Sequence, residues 1–353
     1  MPRVTTRLVP MHRTPAHPSP SRQSRRRPRS IGWVVLAILL ALPGCLTLTL
    51  GLVPELHGRS WLAVHAASFI HYGIISWALA ALVLVIGLLH SRRAAPVVVG
   101  IPVLAALVTQ MLWWWPLTSP PAEPVHGTPL TVAMINVEVG AADAEAIAGL
   151  DSSGRDGGPP DVLIIVEATD DFLDRLGAAG VDQTHPHQVG APDPGAAGTV
   201  ILSAQPITLV EEADTHLQSL VARLETDQGS VLVAGVHPIN PVGGAGSWRE
   251  DANELRTTLN NHIDEPLLAI GDYNSINRHS TMLNLAGDGF ESCAAQTGQP
   301  DPRTWPANQE HIPGPLIGID HALVSPTLSC TSLRSFEVDG TDHRGLVAQV
   351  IPR

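Results

Sequence analysis

Apolar residues in the first third of the chain come in three long runs. Ile31 to Val53 covers 23 residues without a charge, Trp61 to His90 is a second uncharged run, and Ala94 to Trp115 is a third. About 20 apolar residues suffice to cross the hydrocarbon of a bilayer, so the pattern predicts three transmembrane helices over roughly 31–53, 67–90 and 94–115. Pro96 and Pro102 in the third run are tolerated by membrane helices. Trp113, Trp114 and Trp115 stand where an interfacial aromatic belt would lie. Runs this long and this closely spaced do not suit the buried helices of a soluble core.

Beyond residue 129 the pattern changes to short β-branched runs, each ending in a polar residue and a turn. Leu130–Val137, Asp161–Glu167, Thr199–Leu202, Leu220–Leu224, Val231–His237, Leu267–Asn274, Ile319–Val324 and Leu346–Ile351 read as strands. Their near-continuous apolar character is that of strands buried on both faces. Between them, Trp248, Ala252, Leu255 and Leu259 recur at helical spacing within Ser247–Ile263, and Asp170–Leu176 opens with acids suited to a helix start. Such an order predicts sheets packed face to face and flanked by helices. The chain thus divides into a tail (1–30), a membrane anchor (31–116), a Pro-rich linker (117–129) and one large domain (130–353).

Charge sharpens this division. Before Val125 there are 11 Arg against 2 acids, net +9; from Val125 onward there are 10 Arg against 31 acids, net −21, and the chain has no Lys. The Arg-rich tail lacks the apolar side chains needed to fold and reads as disordered. By the positive-inside rule the tail and the Arg92–Arg93 turn are cytoplasmic, and three spans deliver the large domain to the outside. Ser24–Arg27 loosely resembles a twin-arginine signal and Leu42–Cys45 a lipoprotein cleavage box. The apolar run continues past Cys45 and two more follow, which favours a plain multi-pass anchor in the cell membrane. On the outer side Cys293 and Cys330 have one intrachain pairing open to them; the sequence does not show whether their Cα atoms approach within about 7 Å.

The candidate chemistry lies at the strand ends. Asn136, Glu167, His237, Asp272 and Asn274 each close an apolar strand, Asp320 interrupts another, and Asp342-His343 introduces the last. A strand end is a rigid perch from which a side chain enters a cleft lined by loops. Any one of these has an ordinary structural explanation; so many in one domain do not. His185-Pro186-His187 lacks a cysteine cluster and reads as a surface pair, not a zinc site.

In order, the chain shows Ile135-Asn136-Val137, Val166-Glu167, Gly198–Ser203, Gly235-Val236-His237-Pro238, Gly271-Asp272-Tyr273-Asn274, Thr304-Trp305-Pro306, Ile319-Asp320-His321 and Thr341-Asp342-His343. This series resembles the endonuclease/exonuclease/phosphatase superfamily, which includes deoxyribonuclease I-like nucleases, inositol-phosphate phosphatases and bacterial sphingomyelinases. The resemblance covers residues 130–353 and implies an α/β fold, a four-layer α-β-β-α sandwich of two mixed sheets flanked by helices, preceded here by three transmembrane helices. It implies Glu167 as principal ligand of Mg²⁺ (or Mn²⁺ or Ca²⁺), with Asn136 beside it and Asp342 contributing. Asp272 would orient or deprotonate the attacking water and Asn274 would hold phosphate or that water. His343, oriented by Asp320, and His237 would contact the phosphate. One departure is Ala204 after Ser203, where many relatives carry Arg.

The expected activity is metal-dependent phosphoester hydrolysis. A nuclease meets its polyanion with positive surface, so the −21 domain favours a lipid or small-molecule phosphoester over DNA or RNA. A silent receptor for a phosphorylated ligand is the alternative from another class, and it has no need of both a metal ligand and an acid/base set. The expected partners are the lipid bilayer and the phosphate-ester substrate, with no obligate protein partner evident.

Overall fold

The computed structural model describes residues 29–91, 95–114, 127–151, 158–227, 229–309, 311 and 314–353. The basic tail up to residue 28, the Arg92–Arg93 turn and most of the Pro-rich linker lie outside them.

The amino-terminal helices are α1 (Arg29–Leu52), α2 (Trp61–Ser68), α3 (Gly73–Ser91) and α4 (Ala95–Trp114). Three stretches, Ile31–Leu52, Ile70–His90 and Ala95–Trp113, are long and apolar enough to cross a membrane. Their seam is built from Ala37, Ala41, Ala80 and Ala106 around Trp77, Leu84 and Val103. Small residues let helix backbones approach where lipid is as apolar as the protein; a Cβ added at Gly44 would lie 2.7 Å from the Trp77 ring. Leu36, Leu39, Leu42 and Leu46 point outward instead. The second apolar run does not form a single helix. Ser60 caps α2 by accepting the Ala63 N–H at 3.1 Å, and a 3-10 turn over Ile70–Tyr72 separates α2 from α3. Together with the 3-10 turn Pro54–Arg59, α2 forms a collar at one end of the spans.

The remaining strands are β1 (Leu130–Asn136), β2 (Val162–Val166), β3 (His187–Ala191), β4 (Thr199–Ser203), β5 (Ile207–Glu212), β6 (Leu220–Thr226), β7 (Gly229–Val236), β8 (Leu267–Asp272), β9 (Glu291–Ser292), β10 (Asp320–Val324), β11 (Leu328–Phe336) and β12 (Gly345–Pro352). Between them lie α5 (Ala144–Ala148), α6 (Asp170–Ala178), α7 (Val181–Thr184), α8 (Ala245–Asn260), α9 (Ser280–Asp288) and α10 (Cys293–Gln296). The strands form two six-stranded sheets, ordered β11-β12-β1-β2-β4-β3 and β5-β6-β7-β8-β10-β9. Among the described strands each sheet has one parallel pair, β1–β2 and β7–β8, and is otherwise antiparallel.

Alternate residues of a strand serve two cores. Val132 and Met134 of β1 pack between the sheets with Val233, Leu268 and Ile270, while Ala133 and Ile135 lie under Phe172 and Leu176 of α6. Across the molecule α8 and α9 cover the second sheet through Leu255, Leu259 and Leu285. The result is the four-layer α-β-β-α sandwich expected from the sequence. Cys293 and Cys330 are disulfide-bonded, with Cα atoms 5.3 Å apart. Cys330 pairs in register with Val350, and Val350 with Leu130, so the bond lies at the end of the sheets opposite Asn136.

Candidate active site

Strands of a parallel pair finish on the same rim, so β1–β2 and β7–β8 each deliver two carboxyl-terminal ends together. The first pair ends in Asn136 and, one residue beyond β2, Glu167; the second ends in Asp272 and, one residue beyond β7, His237. β10 runs antiparallel to β8 and begins at Asp320, directly opposite Asp272. β12 runs antiparallel to β1 and begins just after Asp342-His343. Topology alone brings residues from six sequence regions to one rim.

Their contacts cross between the sheets. Asn136 Nδ2 donates to Glu167 Oε1 at 3.0 Å and to Asp272 Oδ2 at 3.2 Å, while its Oδ1 accepts the Glu138 N–H at 2.9 Å. His237 Nε2 stands 3.7 Å from Glu167 Oε1 and 3.9 Å from Asp272 Oδ2. His343 Nδ1 meets Asp320 Oδ2 at 3.0 Å, with Nε2 at 3.7 Å from Asp272 Oδ2 and 3.8 Å from Asp342 Oδ1. The Asn274 N–H donates to Asp272 Oδ1 at 2.8 Å, and its Nδ2 to the Pro238 carbonyl at 3.0 Å. Every residue singled out from the strand ends therefore belongs to one connected cluster. Within it Asn136 presents its amide nitrogen, its carbonyl oxygen being engaged by backbone.

Glu167 and Asn274 have φ of 58° and 49°, and Glu138 and Val139 of 49° and 52°. Left-handed backbone in residues other than Gly costs on the order of 1–3 kcal/mol and gathers at functional sites, where surrounding bonds impose it. Here the Val139 N–H donates to Glu167 Oε2 at 2.9 Å.

Burial and charge act differently on each group. Burial, reinforced by Asp320, pushes the Asp272 carboxyl up to about 7. Burial also works against charging His343, but Asp320 and Asp272 together outweigh it and raise the imidazole to about 10. His237, buried without a carboxylate in hydrogen-bonding contact, falls to about 3. Burial and then Asp342 raise Glu138.

Asp272, Asp320 and His343 each bring one ligand atom within 4.8 Å of the others, close enough to hold a cation. Buried Asp320 Oδ1 and His237 Nδ1 have no hydrogen-bond partner among the described residues. Glu167, Asp272 and Asp320 crowd around a neutral His237, so the site carries excess negative charge on hard oxygen donors. That donor set fits Mg²⁺, Mn²⁺ or Ca²⁺.

Supporting residues include several that the strand-end pattern does not mark. Thr304 Oγ1 accepts the Asp320 N–H at 3.3 Å and Trp305 Nε1 donates to Asp342 Oδ2 at 2.8 Å; their motif was visible, their partners were not. Ser219 Oγ accepts the His237 N–H at 2.8 Å, and Glu138 Oε2 accepts the Asp342 N–H at 2.8 Å. Neither has a sequence signal. His185 is buried, not on the surface, its ring held by the Pro160 carbonyl and Thr184 Oγ1 at 2.8 Å each; the corrected reading is structural, because a buried imidazole needs partners.

The rim that carries this cluster also meets the collar. The loop after β8 reaches α2 and α1 through His279 and Arg278, the start of α8 packs Trp248 and Ala245 against Val64, and Tyr72 O–H donates to the Leu316 carbonyl at 2.6 Å, just before β10.

Comparison with known proteins agrees with this architecture. The model of the endonuclease/exonuclease/phosphatase family matches residues 135–343. No curated protein matches the chain. Among solved structures, an endonuclease/exonuclease/phosphatase from Beutenbergia cavernae is 19% identical, covers 64% of this chain and 72% of its own, with a TM-score of 0.50. D. rerio TDP2 complexed with a single-strand DNA product is 16% identical over 64% of this chain and 100% of its own, TM-score 0.50. Truncated Caenorhabditis elegans TDP2 is 12% identical over 63% and 97%, TM-score 0.51. At these identities the likeness is one of fold.

Proposed function

Because this chain belongs to the endonuclease/exonuclease/phosphatase family of metal-dependent phosphoesterases and nucleases, we propose that it hydrolyses a phosphodiester or phosphomonoester at the outer face of the membrane, with a lipid headgroup or small phosphoester favoured over nucleic acid. The observation that carries this reading is the docking of the site-bearing rim on the collar of the anchor. A cleft held there lies at the bilayer surface, within reach of headgroups. The charge of −21 and the absence of Lys from Val125 onward oppose a bound polyanion.

In this reading residues 130–353 are the catalytic domain, 31–116 the anchor, and the tail is cytoplasmic. The Arg distribution supports that orientation, as does the Cys293–Cys330 bond, which persists in oxidising compartments. A reporter fused after Arg353 should work only in a form active outside the cytoplasm; cytoplasmic activity would overturn the orientation.

Glu167, its carboxylate steadied by the Asn136 amide, would hold Mg²⁺ with Asp342, and the ion supplies charge neutralisation at the phosphoryl oxygens. Asp272, raised towards neutrality, accepts a proton from the attacking water, the task for which a pKa near the working pH is best. Asn274 orients that water or the phosphate. His343, protonated and fixed by Asp320, donates to the phosphoryl oxygens, and His237 donates as a neutral group. The test is a substrate panel of sphingomyelin, phosphatidylinositols, simple phosphomonoesters, DNA and RNA, assayed with the full-length protein and Mg²⁺. Hydrolysis of a lipid or small ester, abolished by chelator and by Asp272→Ala, is expected; turnover indifferent to both would refute the reading, and preference for DNA would refute the substrate class.

A further inference from the structure

Two histidines bridge the anchor and the loop that follows Asn274, and each is tied at both ring nitrogens. His279 Nδ1 accepts the Ile276 N–H at 3.1 Å, which leaves the ring proton on Nε2, and Nε2 lies 3.3 Å from the Val64 carbonyl of α2. His57, in the Pro54–Arg59 turn, repeats the arrangement. Its Nδ1 accepts the Ser280 N–H at 3.2 Å and its Nε2 donates to the Leu50 carbonyl at 2.9 Å. The bond made by one ring nitrogen decides which tautomer the other must adopt. The rings meet edge to face, with centroids 5.5 Å apart. Between them in sequence, Arg278 donates to the Gly51 carbonyl at 3.1 Å and lies over Trp113 at 4.6 Å, a cation at the carboxyl end of α1 where the helix dipole favours it.

The same loop is tied to the site. Trp248 Nε1 donates to the Asn274 carbonyl at 3.1 Å and lies 3.2 Å from Ser275 Oγ, while the Trp248 ring meets His279 edge-on at 5.3 Å and packs on Val64. Val64 therefore touches both of the groups that border the turn after Asn274.

We propose that His279 is a positioning residue for Asn274 whose ring is held in place by a backbone acceptor of the membrane anchor, so that the spans take part in organising the site instead of only tethering it. This rests on the reading that Asn274 contacts the phosphoester or the attacking water. Small misplacements of such a group cost up to about 100-fold in rate.

The test uses the full-length protein in detergent with Mg²⁺ and bis(p-nitrophenyl) phosphate. Asn places an oxygen where Nδ1 stood but does not reach Val64, so His279→Asn keeps the local turn and loses the anchor. The expected result is a kcat reduced on the order of 10- to 100-fold, with KM and Mg²⁺ affinity within about twofold of wild type. His57→Ala, altered only on the anchor side, should act in the same direction, and amide exchange over 276–280 should rise in both variants. His279→Asn with wild-type kcat, while Asp272→Ala is inactive, overturns the proposal and leaves the site reading intact. Turnover that survives Asp272→Ala, or that is absent from wild type, overturns the site reading and the proposal with it.

Discussion

Two walls of one cleft each present a buried histidine to Asp272, and the two rings are pushed in opposite directions. On the wall formed by β12 and β10, His343 has Asp320 in hydrogen-bonding contact at 3.0 Å and is raised to about 10. On the wall at the end of β7, the carboxylates nearest His237 stand at 3.7 and 3.9 Å, beyond hydrogen-bonding distance, and the ring falls to about 3. Burial alone disfavours the charged imidazole in both places; the contact to Asp320, less than 1 Å shorter, reverses the outcome at His343 with help from Asp272, and the charge there lowers His237 further. One wall thus holds a charged imidazole and the other a neutral one, although the residue type is the same.

Removing the feature that separates the walls should have the largest effect. Asp320→Asn takes away the charge that protonates His343, and kcat is expected to fall on the order of 10²–10⁴-fold, measured on the best ester of the panel. If His343 were only a packed ring, the Asn variant would keep its rate. Next, Glu167→Gln should weaken Mg²⁺ binding at least about tenfold, since even outer partners of a ligand are worth 10- to 100-fold. Calorimetric titration would read this directly. A larger loss of Mg²⁺ affinity for Asp320→Asn than for Glu167→Gln would move the cation to the Asp272, Asp320 and His343 group. His237→Asn retains a neutral donor and should cost no more than about tenfold, a smaller loss than at His343. The smallest effect is on stability. The folded pKa of His343 is raised from 6.5 to about 10, so its contribution is complete below pH 6.5 and is lost as pH rises through about 10. His237 has finished titrating well below pH 7, and Asp272, pushed up to about 7, loses its proton across the start of this window and adds to the decline there. The thermal midpoint of the metal-free protein should therefore decline between pH 7 and 10, and this slope should flatten in Asp320→Asn.

The sequence made the central strands legible and the edges obscure. β1, β2, β7 and β8 are buried on both faces and read as continuous apolar runs. At the rims of the sheets, β3 and β5 are largely open to solvent, β9 has only two residues, and β11 alternates Ser, Cys and Thr with Leu across a bulge. Such strands carry no hydrophobic signature because one face, or one side, has nothing to pack on. Within the site, Glu167 and Asp272 stand out because a carboxylate at the end of an apolar strand has no packing role. Ser219 and Glu138 act by bonding to backbone, and no local pattern distinguishes them from turn residues. The split of the second apolar run into α2 and α3 was hidden for a further reason: hydropathy reports solvent preference, not the 3-10 turn over Ile70–Tyr72.

The disulfide closes the sandwich at the end away from the candidate site, like the spine of a book whose pages open at the opposite edge. Linking residues 37 apart restricts the unfolded chain enough to stabilise the fold by about 4 kcal/mol in the chain-entropy view, without stiffening the edge where substrate enters. If the domain is exported as its charge pattern predicts, that gain arrives only after crossing, when thiols can oxidise. A copy stranded on the reducing side would lack its staple and be the first to be degraded, so durability itself would mark correct delivery.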